Sequence, residues 1–435
     1  MRGFVLAVIL SSLLPSRTAG PLSLETCIRM AEGNDRTLRQ REISLRESRT
    51  QKVLTALDWI PEISVGAGSD FNWGRSVDMQ ELLIVDNRMT HTVSFSTNAS
   101  LSLTDLALSP LRRKGDKLDE RSAELAKEIA RRELVESITG GFLQVLLYSQ
   151  ACGICEKNCA EMESRLKAAR VEADAGQKAG TELFELEAQL CRERSAATEA
   201  ANRLKLAELT LRDYLDLPPE EELELLPPTG DSIPAPFIGA ESAAIHSIRD
   251  PRVEIEETAL KREENKVKQA VSAFLPRLAV SAGCGTYYGN STSGSFRKQI
   301  GNNINPYAGV TLSIPITGGS ANARAVAAAK GALARQRLES EKAQRETTAA
   351  IRSEIVEAGN LYGSYISATE NLNAAGYAES SAAKRFEVGE ISGTEYLQAR
   401  NARLRAEAEL LQAKYRYLLK LKLLEYRYGI KNSEK

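Results

Sequence analysis

The chain has 435 residues, with 57 Lys and Arg against 58 Asp and Glu, a formal charge of −1. So even a balance gives no footing for nucleic acid, and two histidines, His91 and His246, leave little for acid–base or metal chemistry. Aromatic residues make up 6% of the chain, while long stretches of Ala, Glu, Leu, Arg and Lys favour extended helices over a large globular core.

Residues 1–20, MRGFVLAVILSSLLPSRTAG, read as a secretory signal peptide. Arg2 supplies a positive start, Phe4 to Leu14 a short apolar run, and Thr18, Ala19 and Gly20 the small residues of a cleavage region. The run is too short to span a bilayer, and no later run of about 18 apolar residues is found, so no transmembrane helix is expected.

A helical pattern follows from Leu24 to about Asp58, and Pro61 stops it. Two segments of period two come next. Ile63, Val65, Ala67, Phe71 and Trp73 alternate with Ser64, Gly66, Gly68, Asp70 and Asn72. Beyond an NRMTH loop, Val93, Phe95, Ala99, Leu101 and Leu103 alternate with Ser94, Ser96, Asn98, Ser100 and Ser102. Such alternation predicts strands with one apolar and one polar face. A long helix is expected from Ser109–Pro110, with Ser as N-cap and Pro at the first helical position, to Gly176. After GQKAGTE at 176–182 a shorter helix returns over 181–216.

The order then repeats. AFLPRLAVSAGCG at 273–285 matches DWIPEISVGAGSD at 58–70, with Pro276 in the place of Pro61. GEISGTE at 389–395 matches GQKAGTE, and both are G-x-x-x-G-T-E. Two matched pairs in one order imply a tandem repeat of roughly 210 residues, far longer than solenoid periods. The second copy reads as a helix over 241–274, strands at 278–284 and 310–316, a long helix starting at Gly319–Ser320 and running to Gly389, and a return helix over 394–430. The domain plan is therefore a signal peptide at 1–20, a first repeat at 21–216, a Pro- and acid-rich connector at 217–240, and a second repeat at 241–435. Each long helix would extend ~100 Å, about the sum of one opening and one return helix.

CGICEKNC at 152–159 looks at first like a metal or redox centre. Yet Leu134, Ile138, Gly141, Val145, Tyr148, Cys152, Cys155 and Cys159 are alternately four and three residues apart, a heptad seam. The second long helix has the same seam at Ile351, Ile355, Ala358, Tyr362, Tyr365, Thr369 and Leu372, with no cysteine. A zinc site needs four ligands, normally two of them from elsewhere in the chain, and no second Cys/His pair is found; a redox C-x-x-C belongs at a helix N-terminus, not mid-helix. The cysteines read as packing residues. No cofactor or metal is expected, and no enzymatic constellation is found.

The fold class is thus mostly α with a four-stranded antiparallel β contribution. Four two-faced strands cannot close a barrel; two chains would supply eight strands and three chains twelve, within the range of membrane barrels. The Ser, Gly, Asn and Thr face suits a wet lumen. Trp59, Phe71, Trp73, Tyr287 and Tyr288 suit interfacial girdles.

Taken together, the two-fold helix–strand–strand–helix–helix order, the W-I-P and F-L-P junctions, the G-x-x-x-G-T-E tips and PITGGSANARA at 315–325 resemble the TolC-like outer-membrane factors. LTDLALSPLRRK, the first-repeat counterpart of that last stretch, departs from the family's form. The resemblance implies a TolC-like α-barrel/β-barrel: a homotrimer with a twelve-stranded barrel in outer-membrane lipid and a long coiled-coil tunnel in the periplasm of a Gram-negative bacterium. It implies a passive channel for efflux or type I secretion, served by a periplasmic adaptor (membrane fusion protein) and an inner-membrane pump. It also maps an acidic periplasmic aperture onto Glu395 and Glu182. Glu185 and Gln398 lie beside them, and three copies would concentrate negative charge. Glutamate also favours a helix start after a Thr cap on electrostatic grounds alone. Gly176, Gly180, Thr181, Gly389, Gly393 and Thr394 are the candidate tip turns for adaptor docking, and Pro61 and Pro276 the helix-to-strand junctions. A periplasmic coiled-coil adaptor or structural protein is the alternative, but it leaves four amphipathic strands unexplained.

Overall fold

A computed structural model describes residues 21–78, 83–174, 180–218, 223–227, 234–235, 249–291, 294–316 and 319–429. The signal-peptide reading, Gly176, much of the connector and the side chains of Thr181 and Glu182 lie outside these. The first repeat contains α1 (Leu24–Asn34), α2 (Arg36–Thr55), β1 (Glu62–Asp78), β2 (Leu83–Ser102), α3 (Leu103–Asp174) and α4 (Gly180–Leu215). The second contains α5 (Pro251–Ser272), β3 (Arg277–Gly289), α6 (Phe296–Asn302), β4 (Asn305–Ser313), α7 (Gly319–Glu387) and α8 (Gly393–Tyr428).

 The long helix α7 thus opens at Gly319 as expected, and its 69 residues compare with 72 in α3.

Several boundaries differ from expectation, each for a local reason. The opening helix is broken at Asp35, whose carboxylate accepts from the Leu38 N–H and so caps α2. Helix α3 starts at Leu103, not at Ser109–Pro110. Ser102 caps it by accepting from the Asp105 N–H at 3.2 Å, and Pro110 lies inside the helix, where it leaves one carbonyl without its usual partner. The NRMTH stretch is strand, not loop: β2 pairs with β1 through Trp73↔Met89 and Gly74↔Arg88. Ser320 sits within α7 and does not cap it, and Ile314 and Ile316 lie beyond β4. Helix α6 has no counterpart in the sequence reading.

The strands form one antiparallel sheet in the order β1-β2-β3-β4. Its register keeps the two faces separate across all four strands. Val65 pairs with Thr97, Leu101 with Val280 and Val280 with Val310, while Ser64 pairs with Asn98, Ser100 with Ser281 and Ser281 with Gly309. Gly283 is required on the polar face: a Cβ there would meet the Thr97 carbonyl at 2.6 Å and the Tyr307 hydroxyl at 2.7 Å. The apolar face is uncovered, with Val65 80%, Trp73 76% and Val310 69% exposed. Strands β1 and β4 are the sheet's two open edges.

The chain divides into two compact units, each drawing on both repeats. One comprises Met1–Arg39, Ala130–Ile248 and Thr348–Lys435, the other Gln40–Ile129 and Arg249–Thr347. The second unit contains the sheet. There the Thr104 hydroxyl donates to the Pro276 carbonyl at 3.1 Å and accepts from the Leu278 N–H at 2.8 Å, fixing the start of α3 against the second helix-to-strand junction.

The first unit is held by the heptad seam of α3. Leu134, Ile138 and Val145 are buried with Phe142 and Leu146 against Cys27 and Ala31 of α1, Leu211 and Leu215 of α4 and Tyr415 of α8. Helix α3 does carry a stretch apolar and long enough to cross a membrane by composition, contrary to expectation. Part of that apolar surface is this core, as ridge-into-groove packing of small and branched side chains requires. Arg427 of α8 fastens the same unit electrostatically. It forms a two-pronged pair with Glu136 of α3 and a second bond to Glu354 of α7, while Lys420 meets Glu357 at 2.6 Å. The Glu136 hydrogen bond holds the Arg427 guanidinium more firmly protonated than usual.

Replacing Phe142, which is 1% exposed, by Ala is expected to cost about 3–5 kcal/mol through lost burial and a residual cavity. Denaturant unfolding followed by circular dichroism measures it; a loss below about 1 kcal/mol would show that the seam is not the core of this unit.

Candidate functional site

The second G-x-x-x-G-T-E tip is built by chain reversal. In the second repeat α7 closes with Gly389 at φ 77°, its N–H on the Phe386 carbonyl at 3.0 Å and the Glu390 N–H on the Arg385 carbonyl at 2.8 Å. This paired pattern ends helices wherever glycine supplies the left-handed residue. Helix α8 then begins at Gly393, and Ser392 is its cap, accepting from the Glu395 N–H at 3.2 Å. The cap is therefore Ser392 and not the expected Thr. Thr394 lies in the first turn, and its hydroxyl donates to Glu185 of α4 at 3.1 Å.

That bond joins the tip residues of the two repeats. Glu185, Glu395 and Gln398 are all exposed, at the starts of α4 and α8, where the helix dipole favours negative charge. Gly180 opens α4, and the backbones of Thr181 and Glu182 form its next two residues. Pro61 is exposed between α2 and β1, and Pro276 sits between α5 and β3.

Beneath the tips is a small apolar plug. Met162 and Leu166 of α3, Leu190 of α4, and Tyr396 and Leu397 of α8 are buried together. The Tyr396 ring stacks on Phe386 at 5.4 Å and carries the Arg165 guanidinium 4.8 Å from its centroid. Burial pushes the Tyr396 hydroxyl up from its ordinary pKa.

The next layer is polar and was not anticipated. Arg400 of α8, with 1% of its side chain exposed, meets Glu193 of α4 at 3.1 Å and the Asn158 carbonyl of α3 at 3.4 Å. Glu193 also accepts from Gln189 at 2.8 Å, and Gln189 donates to Asn401 at 3.3 Å. Three helices from both repeats thus share one buried network. Its sequence signal was available: Arg400 stands one turn beyond the buried Tyr396, at a position where an apolar side chain would continue the seam.

The C-x-x-C stretch lies just beyond this network. Cys152 is buried, Cys155 and Cys159 half-buried, and Cys152 Sγ lies 3.5 Å from Glu156. Burial, then the Glu156 carboxylate, pushes the Cys152 thiol up; burial, then Glu193, does the same to Cys155. Reactive thiolates need the opposite shift. Buried Cys27, in the α1 core, is pushed up to about 11. Among the described residues no cluster of His, Cys, Asp and Glu could hold a metal ion.

Two further features are suited to a channel subunit. One is the sheet, with a polar face, an uncovered apolar face and two open edges. Its girdle candidates divide between the faces. Phe71, Trp73 and Tyr288 lie on the apolar face, whereas Tyr287, which pairs with Ser94, lies on the polar one. The other is a groove of about 1010 Å³ between α3, α4 and α8, lined by Leu143, Leu147, Tyr148, Leu404 and Leu411 among others.

The model of the outer membrane efflux protein family matches residues 27–216 and 247–425, taking in both repeats. The outer membrane efflux protein BepC of Brucella suis biovar 1 (strain 1330) is 23% identical over 274 residues, covering 63% of this chain and 58% of that protein. Among solved structures, the CmeC outer membrane channel of Campylobacter jejuni superposes with a TM-score of 0.81 at 16% identity, over 95% of this chain and 87% of that one. The outer membrane protein VceC of Vibrio cholerae gives 0.75 at 13% identity, over 93% and 95%. The fold is therefore the TolC-like one expected from the repeats.

Arg400→Met is expected to lose about 3–5 kcal/mol, because it leaves Glu193 buried without its counter-charge. Arg400→Met combined with Glu193→Leu should recover most of that loss. Thermal unfolding of both single variants and the double closes the cycle, and a double-variant loss equal to the sum of the two single losses would mean that the residues act independently.

Proposed function

We propose that this chain, which belongs to the outer membrane efflux protein family, is the outer-membrane channel subunit of an export assembly. The observation that carries the reading is the sheet. A four-stranded antiparallel sheet with one apolar face open and both edges unpaired is unstable in water and in lipid alike. It becomes stable when β4 of one copy pairs with β1 of the next and the ring closes. Three copies would supply twelve strands, within the range of closed membrane barrels. The apolar face then meets lipid, and the Ser-, Gly- and Thr-rich face lines a wet lumen.

The long helices α3 and α7 and the return helices α4 and α8 supply the periplasmic tunnel of this homotrimer. In that arrangement the two repeats, 21–216 and 241–435, act as equivalent modules, six to the ring, joined by the connector at 217–240. The helical tips face a periplasmic adaptor, with Gly389, Gly393 and Thr394, and Gly176, Gly180 and Thr181, as the docking turns. An inner-membrane pump provides the energy and the choice of cargo. The channel itself performs no chemistry: the raised thiol pKa values of Cys152 and Cys155 fit structural cysteines.

Glu182 and Glu395, with Glu185 and Gln398 one turn further along, form the acidic aperture. Carboxylates in a narrow opening raise the local cation concentration and repel one another across the axis. The Thr394–Glu185 bond supports this reading, since it brings the starts of α4 and α8 together.

Native mass spectrometry of the detergent-extracted protein tests the assembly. Three chains are expected; a stable monomer in the soluble fraction would refute the channel. Bilayer recordings test the aperture. Glu182→Gln with Glu395→Gln should lower the preference for cations, and unchanged reversal potentials would remove these residues from the selectivity mechanism.

A further inference from the structure

The connection between β3 and β4 is a built structure. Gln299 of α6 is 3% exposed. Its amide donates to the carbonyls of Gly289 at 3.2 Å and Gly294 at 3.0 Å, and its carbonyl accepts from the Gly289 N–H at 3.0 Å. Asn303 donates to the Tyr287 carbonyl at 2.8 Å, and the Thr286 hydroxyl to the Ile300 carbonyl at 2.7 Å. Asn290 accepts from the His91 N–H at 2.8 Å, tying the connection to β2. Side chains from three segments thus fix a seven-residue helix at the end of the sheet remote from α3 and α7.

What α6 presents there is an aromatic ring followed by two cations. The Phe296 ring, 47% exposed, lies 5.1 Å from Tyr288. Tyr288 meets His91 edge-on at 6.5 Å, His91 stacks on Phe71 at 4.3 Å, and Phe71 on Trp73 at 6.4 Å. Five rings from β1, β2, β3 and α6 therefore form one continuous ladder on the apolar face. Arg297 and Lys298 are exposed, and neither makes an ion pair with a described residue.

Amphipathic rings settle at the boundary between acyl chains and headgroups, with apolar bodies inward and polar edges toward water. Cations beside them reach the phosphate layer, where Arg can bind two phosphate oxygens at once. We propose that α6 is a lipid-docking element, with Arg297 and Lys298 holding the two phosphates of a diphosphoryl lipid A headgroup while the ring ladder sets their depth. The inference rests on the outer-membrane channel reading.

The test uses the full chain in nanodiscs of phosphatidylethanolamine with a small fraction of diphosphoryl lipid A, and in a parallel set with phosphatidylglycerol in its place. Native mass spectrometry counts the anionic lipids retained on release. The wild type should retain lipid A, and Arg297→Ser with Lys298→Ser should lower its occupancy constant by roughly 25-fold, as expected for two surface cations. Lys342→Ser with Arg345→Ser, the same charge change on α7, should leave retention unaltered. Retention that is equal in wild type and the α6 variant overturns the proposal, as does retention of phosphatidylglycerol alone. If the wild type enters neither kind of nanodisc, the channel reading itself fails and the proposal with it. Entry without α6-dependent retention removes only the proposal.

Discussion

An apolar sheet face with nothing over it is the constraint on which the rest of this protein turns. In water, each large apolar side chain left exposed forgoes about 1.5–3 kcal/mol of burial. Val65, Trp73, Val310 and Leu312 all lie open on that face. Among the described residues the chain has no second layer to offer, because the remaining elements of the second unit are helices joined to the strand ends. In the proposed ring, lipid covers the face and strand pairing between copies closes the edges, so that the sheet would set the assembly and the compartment together.

The helices answer a different problem. A helix of about 70 residues has no globular core around it along most of its length, so it must be stabilised by a narrow seam and by well-placed polar contacts. The seam of α3 does this near α1 and α4, and the plug around Tyr396 does it near the tips. Between them lies Arg400 with Glu193, and on the seam's far side Arg427 meets Glu136 and Glu354. Most other ion pairs, such as Arg203 with Glu199, are exposed and add little. The buried pairs fix which helix meets which at which height, because a shifted register would strand a charge in an apolar layer.

What could be read from the sequence follows the range of the interaction involved. Period-two and heptad patterns are local, so the four strands, the long helices and the packing role of Cys152 and Cys155 were all visible. Caps were less so, because several residues competed for each. Ser109–Pro110 was an attractive start, but Ser102 already held the Asp105 N–H seven residues earlier. Thr394 looked like a cap, but Ser392 took that place and released Thr394 to bond Glu185 across the repeats. The break at Asp35 was hidden by the continuous apolar pattern on either side of it. Helix α6 was not legible, and although the charge of Arg400 within an apolar seam was, its partners were not, for a deeper reason. Both depend on partners far away in the chain, such as Asn290 with His91 and Arg400 with Glu193, and no periodicity encodes such pairings.

The internal repeat sharpens this distinction. Both copies share the junction prolines, the strands and the G-x-x-x-G-T-E tips, the parts that any closed ring of such modules needs. They differ where a single partner is at stake. The first copy carries the cysteine seam and Glu193; the second carries Arg400, Arg427 and the α6 insertion. The buried pair of Arg400 with Glu193 and the part-buried pair of Arg427 with Glu136 both run between the copies. A duplicated module packed against its twin has no intrinsic way to tell one neighbour from the other. Opposite charges placed on opposite copies supply that difference, since a wrong pairing would bury like charges or leave one unmatched. Divergence between the repeats thus does for register what the conserved parts do for closure.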